Sequence, residues 1–223
     1  MAKKNKREAV GFDAQLNKSE AWIESHIKQL GIGLLVVCVI VIGIWLWNNH
    51  TESVEQDAAK AIAKSEMAFM QEQYQQALDG DGAAEKGLLK VIKEFSGTKT
   101  ANLARLYAGL CYIHLDKNDD AIKMLESFDP QDDLMISPSA VAALGNCYVD
   151  KGDTEKGAET LVKAAKMADN EATSPVFLSS AAKLYESLGN TGKALELYQQ
   201  IKKDYSTSMV ANDIDKYIER VSK

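Results

Sequence analysis

The sequence predicts an all-α protein: a single N-terminal transmembrane helix followed by a solenoid of helical hairpins. Three observations carry this. The 223 residues include only three prolines and no long alternating Val/Ile/Thr run, while Ala, Leu, Lys, Glu and Gln dominate outside one segment. That segment, residues 30–47, reads LGIGLLVVCVIVIGIWLW and carries no charge. Downstream, three stretches align without gaps, 36 and 37 residues apart.

Residues 1–29 form a basic tail with six Lys/Arg and four acids. Residues 30–47 follow as about 27 Å of uncharged helix, close to the hydrocarbon thickness of a bilayer. Trp22, Trp45 and Trp47 are all the tryptophans of the chain and stand near or at its ends. An apolar ring with one N–H suits the interface, so the three are expected to anchor the membrane segment. Lys3, Lys4, Lys6, Arg7, Lys18 and Lys28 precede the segment, and the dozen residues after it, NNHTESVEQDAA, hold no Lys or Arg. The positive-inside rule then puts the tail in the cytoplasm and the C-terminal part outside it. Bulky WLWNNH occupies the place of a small-residue cleavage site, so the segment is expected to remain attached.

Residues 48–78 are expected to be a stem, with one long helix from about 52 to 78 ending at DGDG. Residues 79–223 hold the repeats and a C-terminal capping helix. The three aligned stretches are ANLARLYAGLCYIHLDKNDDAIKMLESF, SPSAVAALGNCYVDKGDTEKGAETLVKAA and SPVFLSSAAKLYESLGNTGKALELYQQI. Gly109, Gly145 and Ala182 share one column; Tyr112, Tyr148 and Tyr185 follow three residues later. Ala121, Gly157 and Ala194 form the next small column, and Leu125, Leu161 and Tyr198 come four residues beyond. Small residues let two helices approach closely, and the large ones fill the space beside that contact. DKND, DKGD and LGNT read as polar turns, so each unit is helix, turn, helix. Ser137-Pro138 and Ser174-Pro175 read as helix starts, serine as cap and proline in the first turn. AAEKGLLKVIKEFSGT resembles the second half of a further, degenerate repeat, and its KEFSGT parallels KDYSTS at 203–208. A final amphipathic helix, about 207–221, would cap the stack.

These columns resemble the tetratricopeptide repeat, and LGNCY at 144–148 matches its L-G-x₂-Y run directly. The tryptophan usual near each repeat start is absent. The whole layout, most specifically GIWLWNNHTESVEQDAA, resembles the YfgM family of bacterial inner-membrane proteins. That resemblance implies a periplasmic domain that assists exported proteins. It implies three kinds of protein partner: the SecYEG translocon, a membrane-anchored chaperone such as PpiD, and client chains.

No chemistry-bearing set emerges beside it. GNTGK at 189–193 has two residues between its glycines and Ala194 where a phosphate loop needs Ser or Thr, so a turn between helices with a solvated Lys193 is expected. His26, His50 and His114 have no partners at ligand spacing, and the DGDG and DKND runs fail the calcium-loop pattern at Lys90, Ala121 and Ser127. Cys111 and Cys147 read as buried structural thiols. The net charge of −6 and the absence of basic-aromatic patches argue against nucleic-acid binding. Neither a cofactor nor catalysis is expected.

What remains is surface. The first helices of the hairpins would line a concave face. Helical spacing sets Leu103, Leu106, Leu110 and Ile113 on one face of the first. The matching places are Ser139, Ala142, Asn146 and Val149, then Val176, Ser179, Lys183 and Glu186. Either this is a groove for a partner helix or peptide, or the stem helix already fills its apolar end. Two functions stay open: an interaction module beside the export machinery, and an envelope scaffold in division or outer-membrane assembly.

Overall fold

The computed structural model describes residues 2–82 and 86–223, with side chains from His26 onward except Ile27 and Leu30. The chain divides into two compact units, Met1–Ser53 and Val54–Lys223. Among the described residues it contains helices and no strand.

The first unit lies within helix α1 (Ala2–Met70). From Gly31 this helix is long and apolar enough to cross a membrane, and none of its most apolar stretch is buried. Trp45 and Trp47 are 63% and 75% exposed. The side chain of Trp22 lies outside the described residues.

The second unit is a run of hairpins. It begins with the end of α1 and continues through α2 (Tyr74–Asp79), α3 (Leu88–Glu94), α4 (Lys99–His114), α5 (Asn118–Glu126), α6 (Ile136–Asp150), α7 (Thr154–Ala168), α8 (Ser174–Ser187) and α9 (Thr191–Asp204). A 3₁₀ turn (Met209–Asp213) and α10 (Ile214–Val221) close it.

The expected single helix to residue 78 is broken. α1 ends at Met70, and Glu72 takes a left-handed conformation at φ 59°. The N–H of Gln73 then bonds the carbonyl of Ala68, and that of Glu72 bonds Phe69. The same pair of bonds recurs at Asp116 and Lys117, at Gly152 and Asp153, and at Gly189 and Asn190. All four left-handed residues have φ between 57° and 94°. Each bond pair satisfies helix-end carbonyls and reverses the chain. Among the described residues there are therefore four hairpins, and the first turn is at 71–73 rather than at DGDG. The first period, from Glu72 to Asp116, is longer than the later ones because the second helix of hairpin one is interrupted between α2 and α3. At the far side of that interruption Gly87 is pressed against the chain: a Cβ there would meet the carbonyl oxygen of Leu78 at 2.2 Å.

The small columns extend to this first hairpin. Ser65 and Ala77 stand where the later units have Gly109 and Ala121, and both are buried. In the third hairpin the approach is close. A Cβ on Gly157 would lie 2.4 Å from Val149 Cγ2 and 2.8 Å from the Gly145 carbonyl oxygen. Packing so close leaves no room for any larger residue.

The Ser-Pro starts work differently from the expectation. Ser137 and Ser174 are buried inside the first turn and do not cap it. The Asp133 carboxylate accepts the N–H groups of Met135, Ile136 and Ser137 at 2.6–3.1 Å. Asn170 Oδ1 likewise accepts those of Ala172 and Thr173, both at 2.9 Å. Each cap stands four residues before its serine.

The KEFSGT and KDYSTS parallel holds in geometry. Thr98 and Ser208 each donate to the carbonyl three residues back and accept from the N–H three residues on. The closing helix α10 thus takes the place of α4 in an incomplete fifth unit. Ile214 is buried among residues of α7, α8 and α9. Arg220 locks α10 to α8 by donating twice to Glu186, at 3.0 and 2.7 Å.

Candidate interaction surface

The first helices of the hairpins carry the residues expected to line a groove, and packing separates them. Leu106 is 8% exposed. It packs with Ala121, Ile122, Leu125 and Phe128 of the same hairpin and with Ala140, Cys147 and Tyr148 of the next. Leu103, Leu110 and Ile113 lie partly buried against this cluster. The apolar end is therefore filled by the following hairpin, not by α1. The end of α1 packs instead on Ala104, Ala108 and Cys111.

Ala142 is buried in the cluster of the third and fourth hairpins, and Val149 is partly buried beside Gly157. Asn146, Val176 and Lys183 are exposed. Val176 and Lys183 line a shallow cavity of about 260 Å³ with Met209 and Tyr217. Lys183 Nζ stands 5.6 Å from the Tyr217 ring centre.

GNTGK is a turn. Gly189 has φ 74°, and Asn190 Oδ1 caps α9 by accepting from the Lys193 N–H at 3.1 Å. Lys193 is less solvated than expected: its ammonium lies 4.7 Å from the Tyr185 ring centre, with Glu155 and Glu159 at 3.6 and 4.0 Å. Lys156 repeats this one unit earlier, 3.8 Å from the Tyr148 ring centre and 3.9 Å from Glu126. A cation over an aromatic face beside carboxylates joins adjacent hairpins. The identical sequence offset of the two lysines from their tyrosines was the available signal.

Cys111 and Cys147 are free and buried. Burial pushes their thiols up to about 12 and about 11, so at neutral pH both are protonated. Among the described residues no group of three or more His, Cys, Asp or Glu side chains is placed to hold a metal.

The end of α1 also supplies a contact that periodicity could not reveal. Glu55 caps α4: Oε1 accepts the N–H and hydroxyl of Thr100, and Oε2 the N–H of Lys99. Desolvation would raise its pKa, but these hydrogen bonds outweigh it and hold the carboxyl below its ordinary value.

The tetratricopeptide repeat family matches at residues 103–129 and 180–208, the second and fourth hairpins. No curated protein sequence matches the chain. A crystal structure of a Podosopora anserina kinesin light chain with nearly identical TPR-like repeats is similar in fold. It has a TM-score of 0.54 and 14% identity, with 75% of this chain and 85% of that one covered. The chain is thus an all-helical protein with a tetratricopeptide-like solenoid. This is a class of scaffold for protein–protein interaction, joined here to a helix able to cross a membrane.

Proposed function

We propose that this protein is a single-pass inner-membrane interaction module that works beside the Sec translocon and periplasmic chaperones to assist exported proteins. The observation that carries the reading is the joining of an apolar, uncharged helical segment to a tetratricopeptide-like solenoid. The resemblance of the span and stem to the YfgM family supplies the particular partners, SecYEG and a membrane-anchored chaperone such as PpiD. Trp45 and Trp47 would sit at the outer interface, with the N-terminus in the cytoplasm and the solenoid in the periplasm. Confinement to the membrane raises the effective concentration of weak partners, so modest contacts suffice. Asn146, Val176 and Lys183 are exposed and remain available for such contacts.

Crosslinkers near Trp45 and Trp47 test this in intact cells. Adducts with translocon subunits are expected. Recovery of only division or outer-membrane assembly factors would overturn the reading. Protease added to spheroplasts should digest 52–223 and spare the tail.

A further inference from the structure

Leu134, Met135 and Ile136 are 58%, 68% and 53% exposed. Among the described residues, no other run of consecutive large apolar side chains is so exposed outside the membrane-competent segment. Leu134 and Met135 lie between the second and third hairpins and Ile136 opens α6, on a backbone held at both sides. The Asp133 carboxylate accepts the N–H groups of Met135 and Ile136, and the Leu134 carbonyl accepts the side-chain amide of Asn170 at 3.1 Å. The triplet is displayed on a fixed support, which lowers the ordering cost of binding.

The charges nearest it along the chain are acidic. Asp132 and Asp133 precede the triplet, and Asp169 and Glu171 flank the Asn170 that touches it. Among the described residues none of the four is joined to a cation by a salt bridge. No Lys or Arg occurs between Lys123 and Lys151, or between Lys166 and Lys183. An apolar patch flanked by carboxylates repels an anionic membrane surface and favours a partner that brings cations beside apolar residues.

We propose that Leu134, Met135 and Ile136, with the carboxylates of Asp132, Asp133, Asp169 and Glu171, form a docking site for a protein segment carrying apolar residues beside Lys or Arg. This rests on reading the solenoid as a protein-docking module; it names the surface and the chemistry of the occupant.

The full-length protein in phosphatidylcholine nanodiscs is titrated into a fluorescent amphipathic leucine–lysine peptide, with empty nanodiscs as reference. A leucine–glutamate peptide is run in parallel. The lysine peptide should bind saturably and weaken with added salt, while the glutamate peptide should not bind. Met135→Asp should lower affinity at least tenfold. The double change Asp132→Lys and Glu171→Lys should weaken the lysine peptide by a similar factor and admit the glutamate peptide. All three positions are exposed, and circular dichroism checks that the variants fold. Unchanged affinity in Met135→Asp, or a charge preference that survives the reversal, overturns the proposal. A photo-crosslinker at position 135 that labels only lipid marks a membrane contact and overturns it too. Span crosslinks to the translocon that persist while peptide binding fails would sink this surface alone. Peptide binding without those crosslinks would sink the translocon reading alone.

Discussion

Glu55 Oε1 accepts two hydrogen bonds from Thr100, one from its N–H at 2.8 Å and one from its hydroxyl at 2.6 Å. The two residues are 45 positions apart. The bonds fasten the last part of α1 to the N-terminus of α4, where unsatisfied N–H groups and the helix dipole favour an anion. Later hairpins draw their caps from nearby, Asp133 for α6 and Asn170 for α8. Among the described residues, only the second hairpin combines its own Thr98 with a carboxylate from α1, in the preceding hairpin.

Replacing Glu55 by Gln should destabilise the solenoid by about 1 kcal/mol, the usual scale for a lost cap. The pH response has a definite sign. The folded-state pKa is lowered, so the contribution is complete above the unfolded carboxylate range near about 4 and is lost as pH falls through the folded value. Urea melts across pH 2 to 7 should show a shallower acid limb for Glu55→Gln. Identical limbs would show that the cap does not couple to stability.

Gly157→Ala should destabilise, although alanine is the better helix former by about 1 kcal/mol. The new methyl would fall 2.4 Å from Val149 Cγ2 and 2.8 Å from a backbone oxygen that cannot retreat cheaply. A loss of roughly 1–3 kcal/mol is expected from overpacking. Gly192→Ala is the control: its nearest neighbour would be 3.9 Å away, and a small gain is expected. Thermal denaturation of the two variants should move in opposite directions.

Leu106→Ala should cost about 2–5 kcal/mol, because Leu106 is buried by its own hairpin and the next. Leu106→Asp should abolish folding by burying an unpaired charge. Asn146→Asp, on an exposed place of α6, should change stability by less than about 0.5 kcal/mol. Circular dichroism on purified variants distinguishes the three. A folded, stable Leu106→Asp protein would mean that this face is open after all.

Asn190→Ala should lose a cap worth about 1 kcal/mol, whereas Lys193→Ala should lose less than that because exposed ion pairs contribute little. Calorimetry with added nucleotide gives the second check. No heat beyond dilution is expected from a Gly189–Asn190 turn with no phosphate cradle.

Arg220→Ala should free α10 without unfolding the hairpins. Glu186 would lose both bonds that tie α8 to the closing helix. Hydrogen exchange should quicken in α10 and in the 3₁₀ turn and stay unchanged in α4 to α7. Global acceleration would show that the terminal helix supports the whole stack.

Much of the architecture was legible in the sequence for a simple reason. Helix periodicity, the uncharged run at 30–47 and the recurring small and tyrosine columns are local or strictly repeated signals. Each reflects packing that recurs with the repeat, so Gly109, Gly145 and Ala182 betray their contacts by register alone. The turn of the first hairpin escaped because its second helix is interrupted between α2 and α3, which shifts the register. Leu106 was misplaced for a different reason. Helical spacing shows that four leucine-like residues share a face, but not which neighbour covers it. Only the stacking of the next hairpin decides that, through Ala140, Cys147 and Tyr148 arriving from another unit. The Glu55 cap, the lysine–tyrosine contacts and the acidic setting of Leu134, Met135 and Ile136 likewise join residues from different helices or connecting segments. The sequence determines the period and the apolar faces because these repeat along the chain; tertiary packing determines what each face meets, because that depends on through-space contacts no local spacing encodes.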